Sequence, residues 1–258
     1  MDYRNSNLLD EALGLEDEEC GLRGKVIAIQ DCVETSGAFV FHQLIKRLLV
    51  PNSSNAVVFL AFSRPFSHYD RILRKLGCNL AAQRDDGRFL FFDMLRLQYP
   101  DKNEDKSSED WLVAVFRKIL QIVRAFPQNN KNYITIMIDD ISLIEVAVHG
   151  SSGLVLDFLH YCQTLTSEFG CSLVTLNHAD IYSSVENCAF LLQMEYLADV
   201  LVKIEPLVTG LAADVHGQLT VLNRGVSDGK GNLKTKTPNF RFKVKENVVE
   251  YFYPGSRT

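Results

Sequence analysis

No apolar run in this 258-residue chain approaches the ~18–20 residues a helix needs to cross a bilayer. The opening Met1-Asp2-Tyr3 brings neither the basic nor the apolar stretch of a secretory signal. The six cysteines (Cys20, Cys32, Cys78, Cys162, Cys171, Cys188) include no C-x-x-C pair, and several sit in apolar runs. That pattern points to reduced thiols in a cytoplasmic or nuclear protein, with no membrane partner. The six histidines show no metal-ligand spacing, so no metal and no other cofactor is expected. Compositional bias is absent too: hydrophobic residues are 47% and charged residues 23%, which excludes a disordered chain, a collagen and a coiled-coil rod.

What is present is unevenly charged. Residues 1–20 carry seven acids against Arg4, a net of −6, so the rest of the chain is nearly neutral at +1. Residues 223–245 hold seven bases against Asp228, a net of +6. The composition predicts an acidic, flexible leader over residues 1–22 and a single domain over 23–258.

Strand-like and helix-like segments alternate. Lys25–Gln30, Ala56–Phe62, Arg88–Asp93, Tyr133–Ile138, Cys171–Leu176 and Asp199–Ile204 read as buried strands. Between them, Phe39–Leu49, a segment from Ser67 to Leu76, a segment through Trp111–Val123, Leu154–Phe169 and Ser184–Ala198 have helical spacing. Gly77 and Gly170 mark helix ends. Gln218–Asn223, Asn239–Lys245 and Val248–Phe252 are strands with no helices between them. This order predicts an α/β domain: a mostly parallel sheet flanked by helices, with antiparallel strands at the C-terminal edge.

The first strand-to-helix turn is where a phosphate loop would lie. Such a loop reads G-x-x-x-x-G-K-[ST]: backbone N–H groups cradle phosphates, the lysine reaches the β/γ-phosphates and the hydroxyl holds Mg²⁺. Here Gly37 can serve as the second glycine, but Ala38 stands at the lysine position and Phe39 at the hydroxyl position. Asp31 and Glu34 add negative charge that repels a triphosphate. Ile134–Asp140 matches an apolar strand ending in Mg²⁺-binding carboxylates, yet acids commonly end buried strands; without the upstream lysine, Asp139 and Asp140 read as relics of a nucleotide site. Gly225–Gly229 satisfies G-x-S-x-G but precedes a flexible Lys/Gly stretch, so it reads as a hairpin-like loop rather than a nucleophile elbow. His178 and Asp180 follow a strand with no nucleophile to serve. The +6 segment is either a solvated loop or a tracker of phosphate backbone.

Several segments, in order along the chain, resemble one family. They are Phe66-Ser67-His68-Tyr69, Lys75-Leu76-Gly77, Leu156–Cys162, Gly210-Leu211 and Asp214–Leu219, and together they resemble the sixth subunit of the Elongator complex from about Lys25 to Phe252. The resemblance implies a RecA-like fold without a working phosphate loop. It implies a non-catalytic chain that joins the fourth and fifth Elongator subunits, two copies of each, in a hetero-hexameric ring. With the first to third subunits the complex makes the carboxymethyl-type modification on the wobble uridine (U34) of tRNA, and the ring engages that tRNA.

In such a ring, loops after central strands would line the pore, here about 140–152 and 177–184. Asn177, His178, Lys230, Lys234 and Lys236 are therefore candidate tRNA contacts. Arg224, at the end of a late strand, is either an ordinary surface arginine or a residue reaching a neighbour's nucleotide pocket in trans. Two other functions remain open at this point: an active RecA/KaiC-type ATPase with an atypical phosphate loop, and a scaffold that never touches RNA.

Overall fold

The computed structural model describes residues 8–15, 21–51, 53–95, 108–126, 132–182, 188–207, 210, 214–224 and 238–255. Among the described residues nine strands form one sheet: β1 Val26–Asp31, β2 Ala56–Ala61, β3 Phe89–Asp93, β4 Ile134–Ile138, β5 Ser172–His178, β6 Val200–Glu205, β7 Gly217–Asn223, β8 Asn239–Val244 and β9 Val249–Phe252. Among the described residues eight α-helices accompany them: α1 Leu8–Leu13, α2 Ala38–Leu48, α3 Phe66–Lys75, α4 Leu80–Asp85, α5 Ser108–Ala125, α6 Ile141–Ala147, α7 Ser152–Phe169 and α8 Cys188–Leu197. The strand order is β3-β2-β4-β5-β1-β6-β7-β8-β9. Every pairing from β3 to β6 is parallel, and β6 to β9 form an antiparallel meander.

Each strand's pattern follows from its place. β1, β2 and β4 are buried along their whole length, as strands covered on both faces must be, and they are nearly all Val, Ile, Leu, Phe and Ala. β7 alternates instead, buried at every other residue, because only one of its faces has a helix layer. Residues of α1 to α4 share one apolar core with Ile27, Ile29, Val57 and Phe59. Residues of α5 to α8 share another with Val26, Val58, Leu60 and Ile136. Successive residues of a strand therefore serve opposite cores.

Besides α1, two short helices were not anticipated. Asn79 caps α4 by accepting the Ala82 N–H at 3.3 Å. Asp140 caps α6 by accepting the Ser142 N–H at 2.9 Å, so the segment expected as a pore loop begins as helix. Gly77 and Gly170 close α3 and α7 as expected, both at positive φ.

The leader differs from expectation over the stretch the structure describes. Leu9 and Leu13 of α1 are fully buried in the first core, which also holds β7 and β9 residues Leu219 and Val249. Arg47 pairs with Asp10 at 3.4 Å and also donates to the Leu15 carbonyl. The reason is amphipathic: Glu11 faces water and Asp10 meets Arg47, while Leu9 and Leu13 turn into the core. Residues 8–15 and 21–22 thus belong with the domain.

Candidate functional site

In an open α/β sheet, ligands meet the carboxyl ends of the strands where chain order reverses, and here that point is the end of β1. Asp31 closes β1, and its register partner on β5 is His178. Both side chains point toward the α2 face, since Ile29 and Leu176 two residues earlier lie in that core.

Asp31 turns back on its own loop. Its Oδ2 accepts the Gly37 N–H at 2.6 Å, at the residue that caps the start of α2. Its Oδ1 lies 2.5 Å from His178 Nδ1. The other ring nitrogen of His178 lies 3.5 Å from Asp140 Oδ2. The Asp31 side chain has no exposed surface. Hydrogen bonding to Asp140 and Asp31 pushes His178 up to about 10, so the ring is an imidazolium at neutral pH. A carboxylate thus sits at the helix N-terminus and a cation lies between β1 and β4, both supplied by the chain itself.

The rest of the loop is held as firmly. Val33 N–H donates to Asp180 Oδ2 at 3.0 Å, from the 3₁₀ turn Ala179–Tyr182 that follows β5. Thr35 N–H bonds the Cys32 carbonyl at 2.9 Å. The Ala38 N–H reaches only its neighbour, Ser36 Oγ, at 3.3 Å. Phe39 is buried, its ring 4.7 Å from that of Phe242 on β8. A Cβ on Gly37 would lie 2.7 Å from Ile204 Cδ1, so the helix start is pressed onto β6.

Asp139 is fastened elsewhere. It accepts N–H groups from Phe62 at 2.5 Å and Ser63 at 3.2 Å, and the hydroxyl of Tyr69. Burial is the largest influence and pushes its carboxyl up to about 6. It joins the end of β4 to the β2–α3 connection, while Asp140 caps α6 and faces His178. Among the described residues no His/Cys/Asp/Glu cluster suits a metal ion.

The Gly37 N–H that would meet a phosphate is already engaged by a carboxylate, and the oxygens of Asp139 are engaged by donors of the protein. What this arrangement can do chemically is hold β1, β4 and β5 together at their carboxyl ends.

The other expected site residues scatter. Asn177 is 1% exposed and points to the opposite face, so it offers an RNA no surface. His178 is committed to two carboxylates. Lys230, Lys234 and Lys236 lie outside the described residues, as does the G-x-S-x-G segment. Arg224 follows β7 at the end paired with the start of β6, the edge away from Asp31. Its guanidinium donates to the Glu195 carbonyl at 2.9 Å.

A cleft of about 410 Å³ that the sequence did not reveal lies on the α8 face of the same strand ends. The side chains of Gln30, Glu195, Lys203, Glu205 and Gln218 provide its polar lining. Gln30 stands in register between Asn177 and Lys203, and Lys203 pairs with Glu195 at 2.9 Å. No local pattern marks these residues, because the cleft is assembled by parallel pairing of segments far apart in the chain.

The sheet order, two helix layers and ligand edge define a RecA-like α/β protein. The crystal structure of a KaiC-like protein from the archaeon Pyrococcus horikoshii superposes with a TM-score of 0.62 over 90% of each chain, at 14% identity. The family described as Elongation complex protein 6 matches residues 7–246, and the chain belongs to it. Elongator complex protein 6 of Xenopus laevis is 28% identical over 96% of both chains, and that of Homo sapiens 25% identical over 90% of this chain and 91% of the relative. The Dictyostelium discoideum protein of that name is 22% identical over 91% of each.

Proposed function

We propose that this chain is a non-catalytic subunit of the Elongator complex. It closes a hetero-hexameric RecA-like ring with the fourth and fifth subunits, and that ring holds tRNA while the first to third subunits support carboxymethyl-type modification of U34. Family membership supports the complex. The observation that carries the non-catalytic role is the Asp31–His178–Asp140 array, in which the chain's own carboxylate and imidazolium take the positions of phosphate and cation. A site filled in this way has nothing to gain from ATP, so the subunit contributes surfaces rather than turnover.

Isothermal titration of the purified chain with ATP and Mg²⁺ tests this directly. No heat of binding is expected up to millimolar nucleotide; magnesium-dependent micromolar binding by the chain alone would restore the ATPase reading. Co-production with the fourth and fifth subunits should give a particle with the mass of two copies of each. Reversing charge at Lys230, Lys234 and Lys236 should weaken tRNA binding by that particle several-fold and flatten its salt dependence.

A further inference from the structure

The sheet outruns one of its helix layers. On the face shared by α5 to α8, cover among the described residues ends at α8, and the β6 and β7 residues beyond it (Lys203, Glu205, Gln218, Thr220) are only partly covered or exposed. The cleft lies at this step, between α8 and the bare strands. Leu191 and Glu195 form its helix wall, and Lys203, Glu205 and Gln218 its floor.

Its surroundings are apolar and exposed. Cys32 lines the cleft and its neighbour Val33 is 69% exposed; Ala179 lines it and Ile181 is 50% exposed. On α8, Leu191 and Glu195 face inward, while the residues after each, Leu192 and Tyr196, are 58% and 85% exposed. Leu192 and Tyr196 are four apart and form one outward stripe. Large aromatic and aliphatic side chains grouped around a polar cleft are the composition of an interface.

Two features of the cleft specify what enters it. Gln30 is 3% exposed, lines the cleft, and its Nε2 has no acceptor among the described residues. A buried donor in this position calls for an oxygen from an incoming group, such as a peptide carbonyl. The side chains lining it include Glu195 and Glu205 against Lys203, the Asp31 carboxylate being buried on the other face. Lys203 is held by Glu195 and His178 by Asp31, and among the described residues Glu205 accepts from the neutral amide of Gln218. Glu34 adds an exposed carboxylate beside Val33. A second copy docked by the same face would set these acids against themselves.

We propose that this cleft and its rim form a docking surface for a segment of a different polypeptide chain. That segment carries a lysine or arginine for Glu205, apolar side chains for Leu192 and Tyr196, and a backbone carbonyl for Gln30. The inference rests on the ring reading and names the surface through which this chain meets a neighbouring subunit.

The test uses the full chain co-produced with the fourth and fifth Elongator subunits, read by native mass spectrometry. Two variants alter the surface, Leu192→Asp with Tyr196→Lys, and Glu205→Arg; Tyr161→Lys on α7 is a control at another exposed aromatic. Thermal melts of each variant alone establish that it folds. The double variant should lower the assembled fraction at least tenfold. Glu205→Arg should weaken assembly and reduce its salt sensitivity, and Tyr161→Lys should leave it unchanged. A benzophenone side chain at position 196 should crosslink to a subunit peptide containing Lys or Arg. Wild-type assembly matched by the folded double variant, or a crosslink to a second copy of this chain or to tRNA, overturns the proposal while the ring reading stands. Failure of the wild-type chain to assemble overturns both.

Discussion

His178 is the residue on which the carboxyl edge turns, because it keeps Asp31 and Asp140 compensated where water does not reach Asp31. Removing one partner of a buried ion pair strands the other, so His178→Ala should cost about 3 kcal/mol in urea unfolding. The pH dependence has a definite sign. The folded value, about 10, lies above the ordinary histidine value of 6.5, so the stabilisation is complete below about pH 6.5 and is lost as pH rises through 10. Urea midpoints for the wild type should fall across that window, and His178→Gln should remove the slope. Asp139 acts in a lower window. Burial raises its carboxyl from 3.8 to about 6, so the folded state binds the extra proton and stability falls as pH rises from about 4 to 6. Asp139→Asn should flatten that range and leave the alkaline one alone. At Gly37 the limit is steric: an added methyl meets Ile204, Ile29 and the Asp31 side chain, so Gly37→Ala should cost about 1–3 kcal/mol without changing the fold.

The elements were legible wherever their length exceeded two helical turns or their residues ran apolar through a doubly covered sheet. Trp111, Val115, Ile119 and Val123 announce α5, and YITIMI announces β4, because burial on both faces favours apolar side chains. The six and seven residues of α4 and α6 are too few to show a period, and both are identified by their caps, Asn79 and Asp140. In α1, seven nearby acids outweighed the leucines of LLDEAL in the reading of composition, although packing depends on where Leu9 and Leu13 fall. Leu13→Ala should therefore cost about 2–5 kcal/mol, measured by thermal or urea unfolding, a loss foreign to a solvated tail. The candidate site was half legible. Ala38 and Phe39 are visible as exceptions to a motif, but Asp31 and His178 are 147 residues apart and meet only through the β1–β5 register. Gln30, Glu195 and Glu205 carry no local signature, since only the sheet order brings them to one cleft.

Across the whole molecule, charge and cover are divided. Among the described residues, the first face of the sheet is closed by α1 to α4 with the chain's own N-terminal leucines, whereas the second face is closed only as far as α8. The edge holding Asp31 is acidic, and the opposite edge carries Arg224. The closure of the first face joins early and late parts of the sequence: Phe39 packs on Phe242 and Tyr251, and the Tyr251 hydroxyl donates to Gln43 at 2.6 Å. During synthesis, Phe39 therefore leaves the ribosome about two hundred residues before Phe242 and Tyr251 are made. A nascent chain halted before β8 would present Phe39 to chaperones as bare aromatic surface, so pulse-chase capture on stalled ribosomes should show holdase contact that ends only when the final strands have cleared the exit tunnel.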